Sequence, residues 1–343
     1  MSITTQAVTT QAVTMQAVTP VILDGDPGHD DAIAWMLALA HPRLDVRAIT
    51  TVAGNAPIEQ TTLNMLRLAT LFGAEDVPLA QGCSRPLVAP PQAAPSVHGA
   101  SGLDGPTLPE PTVALQECSG VELMARILRT SDRPVWIIAT GPLTNVATLL
   151  MAYPDVKEQI AGISFMGGGI RSGNWTPAAE FNMLVDPEAA SVVFASGIPL
   201  LMAGLDVTEK AMIMEEDVER IRQVGGVAGH SAGGGPGGTS ITEIVAEWLE
   251  FFFGFHRELG YEGAPVHDPV AVVALTHPEI LTGQDMVVSI ETSGAYTRGA
   301  TVGDVYHTTG KAPNTRVFLD IEREAYVDLI VEAVEHFSEV TPS

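Results

Sequence analysis

The chain has 343 residues, 46% of them apolar and 17% charged, with 41 acidic against 17 basic side chains and a formal net charge of −24. That length accommodates one large domain or two average ones, and the acidic balance argues against a nucleic-acid backbone or an anionic membrane as partner. The two cysteines, Cys83 and Cys118, stand in no metal-ligand spacing; they read as free thiols of a reducing cytoplasm, with a disulfide the minor alternative.

Met1 to Thr19 repeats a short uncharged phrase, TTQAV, TTQAV, TMQAV. It has neither the basic region nor the continuous apolar core of a secretory signal. No later run reaches the ~18–20 apolar residues of a membrane span. Residues 1–19 are therefore expected to be a disordered, low-complexity tail, and residues 20–343 one domain.

From Pro20 onward short β-rich runs alternate with helical patterns. Expected strands are VILDGD from Val21, VRAITTVAG from Val46, VPLAQG from Val77, VWIIATGP from Val135 and GISFMGG from Gly162. PLLMAGLDVT from Pro199, MVVSIET from Met286 and TRVFLDI from Thr315 complete the set. Helices are expected over Ile58–Phe72, Val121–Thr130, Leu143–Ala152, Pro187–Ser196 and Thr242–Leu259. Apolar runs this continuous predict an α/β domain with a mainly parallel, Rossmann-like central sheet flanked by helices. Two stretches break the pattern. Residues 82–112 are rich in Pro, Ser and Gly, and 224–240 hold too many glycines for regular structure. The second reads equally as a mobile lid or a surface insertion.

The most informative segment is VILDGDPGHDDA, Val21 to Ala32. An apolar strand runs into four crowded carboxylates, Asp24, Asp26, Asp30 and Asp31. Like charges this close call for a positive partner, most simply a divalent cation. Pro27 and Gly28 turn the chain, and DAIAWMLALA from Asp31 looks like a buried helix. The carboxylates would then crown a strand's C-terminal end and a helix N-terminus, where negative charge is favoured and open α/β sheets bind ligands. Capping alone needs one Asp, not four.

Other strand ends carry polar residues. Asn55 closes VAGN. Thr140 opens TGPLTN, where its carbonyl or hydroxyl would add an oxygen to a hard cation, or the motif is merely a tight turn. GNWTPAAEFN offers Asn174, Glu180 and Asn182, a set suited to a polyhydroxylated ligand or an ordinary polar loop. In VHDP, Asp268 is placed to cap a helix that starts at Pro269. It is also placed to ligate metal, leaving His267 free for acid–base work.

In this order, DGDPGHDDA, VAGN, HG followed by GLDG, ATGPLTN, MGGG, GNWTPAAEFN and HDP resemble the nucleoside hydrolases, the inosine–uridine-preferring ribohydrolase family, from about Pro20 to the chain end. The resemblance implies calcium-dependent hydrolysis of the N-glycosidic bond of ribonucleosides by a single α/β domain. It implies Asp26, Asp31, the Thr140 carbonyl and Asp268 as calcium ligands, with Asp26 the general base on the metal-bound water and an oxocarbenium-like transition state. Asp30 and Asn182 would hold the 2′- and 3′-hydroxyls, with Asn55 close by. Asn174 and Glu180 would reach the 5′-hydroxyl, and Met166 would lie near the sugar ring. His267 would face the nucleobase and His98 the pocket edge. A cytoplasmic homodimer or homotetramer acting on a small ribonucleoside, with no nucleic-acid or membrane partner, is the corresponding expectation. The helix before HDP departs from the family, with Phe252, Phe253, Phe255 and His256 where polar base-side groups are common. Purine against pyrimidine preference stays open. So do two alternatives, a catalytically silent nucleoside- or ribose-binding protein and a haloacid-dehalogenase-like phosphohydrolase. The latter would need a phosphate-facing lysine, which no strand-end cluster supplies.

Overall fold

A computed structural model describes residues 18–224 and 240–339. The repetitive tail up to 17 and all but the ends of the Gly-rich stretch lie outside the described residues. Eight strands form the central sheet: β1 (Thr19–Gly25), β2 (Leu44–Thr51), β3 (Leu79–Gln81), β4 (Val135–Ala139), β5 (Ile160–Met166), β6 (Leu200–Ala203), β7 (Leu281–Met286) and β8 (Thr315–Ile321). Their order is β3-β2-β1-β4-β5-β6-β8-β7, parallel throughout except that β7 runs against β8. The mainly parallel α/β sheet expected from the apolar runs is the observed one.

Both faces of the sheet are covered, and strand alternation explains how. Val21 and Leu23 join one core with helices α1 (His29–Ala40) and α2 (Ile58–Leu71), while Ile22 between them joins the other with α3 (Gly120–Thr130), α4 (Thr144–Ala152) and α5 (Pro187–Phe194). Helix α6 (Glu215–Gln223), α7 (Ile241–Glu258), α8 (Pro269–Thr276) and α9 (Arg323–Glu339) add to the first core. Helix α8 is buried over its whole length, which suits the apolar PVAVVAL. Among the described residues no helix is long and apolar enough to cross a membrane.

The run MVVSIET is not one strand. It ends β7 at Met286, and Val288–Ile290 instead pairs antiparallel with Thr301–Gly303 in a separate ribbon. Asn314 causes the break: its side chain accepts from the Val288 N–H at 2.8 Å and donates to the Val288 carbonyl at 2.9 Å, occupying the groups a continuing strand would use. PLLMAGLDVT likewise splits, into β6 and a short helix, Leu205–Thr208. The 82–112 stretch is irregular apart from one turn of helix, Pro95–His98.

The sheet order places the site. Connections step outward one way from β1 to β2 and β3, and the other way from β4 to β5 and β6. The crevice between the C-terminal ends of β1 and β4 is thus the topological switch point, where such sheets bind ligands. Asp26 follows β1, and Thr140 follows β4.

Candidate active site

Helix α1 begins at His29, so Asp30 and Asp31 occupy its first turn, where the helix dipole favours negative charge. Asp26, Asp30, Asp31 and Asp268 are all buried. Carboxylate oxygens of Asp30, Asp31 and Asp268 lie within 4.8 Å of one another, so Asp30, not Asp26, completes the tightest trio. Asp31 accepts from the Thr140 hydroxyl at 2.5 Å, the Gly28 N–H at 2.9 Å and the Asn55 amide at 3.3 Å. Asn55 also ties down Asp26: its backbone N–H donates to Asp26 Oδ2 at 2.6 Å.

The other oxygen, Asp26 Oδ1, is buried with no hydrogen-bond partner among the described residues. Two glycines make room for this carboxylate. A Cβ on Gly54 would stand 2.0 Å from Oδ2, and one on Gly141 would stand 2.3 Å from Oδ1. Burial pushes all four carboxyls above their ordinary pKa, and neighbouring carboxylates raise Asp26, Asp30 and Asp268 further, Asp30 to about 7. Buried, crowded oxygens with one left unpartnered are the donor set that a hard divalent cation satisfies. The residues present fit a metal ion.

Asp268 is the surprise. It holds the N-cap position of α8 but makes no side-chain cap bond, because its backbone is helical (φ −65°, ψ −35°) and not in the extended conformation a cap requires. The expectation that it also caps its helix is corrected. Its carboxylate oxygens instead lie within 4.8 Å of those of Asp30 and Asp31. Asp24 is corrected too. It does not belong to the cluster trio, since Thr50 and Asn145 donate to its Oδ1 at 2.6 and 2.7 Å, a structural role beneath the site.

The sugar-side residues are brought together unevenly. Asn182 donates to the Thr140 carbonyl at 2.9 Å and lies 3.5 Å from the Met166 sulfur, which places these three beside the cluster. Glu180 is buried as the N-cap of a short helix, Phe181–Val185, accepting from the Asn182 and Met183 amides and from Gly168 at 2.8 Å. Asn174 is exposed, and its side-chain oxygen accepts from the Phe181 N–H at 3.0 Å, within its own loop.

Four imidazoles collect on the other side. His267 is buried, with Nδ1 2.8 Å from the Thr208 hydroxyl. His98, His29 and Phe252 group with ring centroids 5.5 to 5.9 Å apart. Phe251 stacks on the far face of the group, 4.9 Å from His29. His256 is 6.5 Å from His267 and T-shaped against Tyr261. Burial lowers the pKa of all four histidines, His29 to about 4 and His267 to about 3. Of the phenylalanines on α7, Phe252 joins this group, whereas Phe253 is buried in the core with Arg257 5.6 Å from its ring.

Sequence reading missed Thr208, His29, Gly54 and Gly141, and also Tyr326, whose hydroxyl donates to the Val266 carbonyl at 2.6 Å just before His267. None carries a local signal except His29, which sits inside the acidic motif itself.

Carboxylates that fit a metal, gathered with hydroxyl-binding amides and imidazoles at the switch point of a parallel sheet, define a metal-site hydrolase of the α/β class. The chain belongs to the inosine-uridine preferring nucleoside hydrolase family, whose model matches residues 21–328, and it is a hydrolase of N-glycosyl compounds. It is 51% identical over 321 residues to the pyrimidine-specific ribonucleoside hydrolase RihA of Klebsiella pneumoniae (strain 342), spanning 93% of this chain and 99% of that protein. Identity to RihA of Escherichia coli (strain K12) is 50% over the same shares. Among solved structures, a purine-preferring ribonucleoside hydrolase from Gardnerella vaginalis superposes with a TM-score of 0.84 at 25% identity, over 94% of this chain and 99% of that one. A plant nucleoside hydrolase gives 0.82 at 28% identity, over 93% and 99%.

Proposed function

We propose that the protein hydrolyses pyrimidine ribonucleosides to ribose and the free base with the help of a calcium ion. The observation that carries this reading is the meeting of Asp31 and Asp268, from distant parts of the chain, beside the unpartnered Oδ1 of Asp26. The pyrimidine preference rests on the names of the two RihA proteins, at about half identity; the purine-preferring structure shares half as much.

Asp26, Asp31, the Thr140 carbonyl and Asp268 would hold the ion, with Asp30 alongside. Bound there, a hard cation would offset the repulsion among the carboxylates and acidify nearby water. Asp26 takes the proton of the attacking water at Oδ1, while Asn55 keeps Oδ2 in place. General-base assistance of this kind contributes about 10²–10⁴-fold. As the bond to the base breaks, positive charge develops on the sugar and the fixed carboxylates stabilise it. Asp30 and Asn182 hold the 2′- and 3′-hydroxyls with Asn55 close by, Glu180 and Asn174 the 5′-hydroxyl, and Met166 packs against the ring. His267 serves the departing base, and water attacks directly with inversion. The free thiols of Cys83 and Cys118 fit a reducing compartment, so the reading includes the cytoplasm as its location. A homodimer or homotetramer is the assembly the family resemblance implies.

The test is ribose release from uridine, cytidine and inosine by purified protein, before and after chelation and on adding back calcium or zinc. Faster turnover of the pyrimidines, lost on chelation and restored best by calcium, is expected. Full activity in protein shown by elemental measurement to be metal-free would overturn the metal assignment, and faster turnover of inosine would overturn the pyrimidine preference.

A further inference from the structure

Asp268 stands at a helix start that it does not cap, and something must hold it there. Its backbone is helical where a capping residue is extended. The amides a cap would serve, those of Val270 and Ala271, donate instead to the carbonyls of His267 and Asp268 at 3.2 and 3.0 Å. An Asp in this place has a near alternative. Rotation about its own backbone and side chain would take the carboxylate out of the cluster and onto those two amides, gaining a cap and relieving like-charge repulsion.

What opposes that rotation is the chain just before it. Ala264–Pro265 pairs antiparallel with Met212–Ile213, and Val266 donates its N–H to the Ala211 carbonyl at 3.0 Å. The carbonyl of buried Val266 accepts from the Tyr326 hydroxyl at 2.6 Å. That oxygen belongs to the peptide plane joining Val266 to His267, so the bond fixes the direction in which the chain enters Asp268. Tyr326 is itself fully buried, on a helix, α9, that packs against α1 and shares one core with it. Three residues earlier on α9, Arg323 donates to the Met212 carbonyl at 3.2 Å and to the Asp217 carboxylate at 2.6 Å. Helix α9 therefore holds both sides of the small ribbon relative to α1, whose first turn carries Asp30 and Asp31.

We propose that Tyr326 is a positioning residue: through the Val266 carbonyl it keeps the carboxylate of Asp268 facing Asp30 and Asp31 and away from its own helix cap. The proposal deepens the metal-site reading and rests on it for its calcium measurement. A residue that acts in this way changes the fraction of protein in which the site is assembled, and the apparent affinity for the ion falls with that fraction. Partners that orient a metal's ligands are each worth about 10–100-fold in affinity.

Tyr326→Phe keeps the ring in the core and removes one oxygen. Calorimetric titration of the full chain with calcium should give an affinity about 10–100-fold weaker than wild type, and kcat for uridine should recover to near the wild-type value once calcium is saturating. Thr70→Val removes a hydroxyl bonded to the Leu66 carbonyl at 2.9 Å on α2, and it should leave the calcium affinity unchanged. A merely structural Tyr326 would behave like Thr70, lowering the melting temperature and sparing the affinity. In a crystal structure of metal-free Tyr326→Phe, Asp268 should have turned toward the Val270 and Ala271 amides. Wild-type calcium affinity in a folded Tyr326→Phe, a kcat deficit that saturating calcium leaves in place, or an unmoved Asp268 would each overturn the proposal. Were the wild type to bind no calcium, the metal reading would fall, while the position of Asp268 in the variant would still decide the role of Tyr326.

Discussion

The carboxylate of Asp268 turns to within 4.8 Å of that of Asp31 and leaves its own helix uncapped. A helix N-terminus would gain from a capping side chain, so the geometry favours a ligand at the expense of local stability. Asp268→Asn keeps the shape and removes one crowded charge. Its metal-free melting temperature should equal or exceed wild type, because repulsion is relieved, while the rise that calcium produces should shrink markedly. A calcium-induced rise equal to that of wild type would remove Asp268 from the ligand set.

The crowded carboxylates also set a pH dependence. Asp30 is raised to about 7 and Asp24 to about 6, from 3.8, so the folded chain binds more protons than the unfolded chain between these values. Stability of the metal-free protein must then fall as pH rises from about 4 to about 7. Melting curves across that range should show the decline, and calcium should raise the midpoint more at the upper end. A metal-free midpoint that climbs with pH would contradict the cluster's electrostatics.

Asp26→Asn retains a weak ligand but no base, and turnover should fall about 10²–10⁴-fold with part of the calcium-induced stabilisation intact. Gly141→Ala probes the same carboxylate by crowding Oδ1. It should cost about 1–3 kcal/mol of stability and most of the activity. Wild-type turnover in Asp26→Asn would rule out Asp26 as the base.

Sugar hydroxyls should dominate recognition, since Asp30, Asn182 and Glu180 are all buried polar groups. A site that loses a hydroxyl leaves such groups unpaired. Deoxyuridine should be hydrolysed far more slowly than uridine, by at least about a hundredfold. Comparable kcat/KM for the two would refute the assignment.

His267→Ala should slow uridine strongly and spare p-nitrophenyl riboside, whose leaving group departs without a proton. An equal loss on both substrates would show that His267 serves sugar or metal geometry.

The strand, turn and first helical turn that carry Asp26, Asp30 and Asp31 were legible from residues alone, because an apolar run, Pro27–Gly28 and a helical pattern act over a few neighbours. So was the parallel sheet, since covering both faces demands continuous apolar strands, and so was the order of the motifs along the chain. Only the tertiary structure decided that Asp24 is bonded away by Thr50 and Asn145. It alone showed that Asn314 breaks the MVVSIET run, and that Thr208 and the Asp104 carbonyl are the partners of His267 and His29. In each case the deciding partner lies on a different element, and a buried polar group is settled by whichever donor or acceptor the packed fold brings within about 3 Å of it.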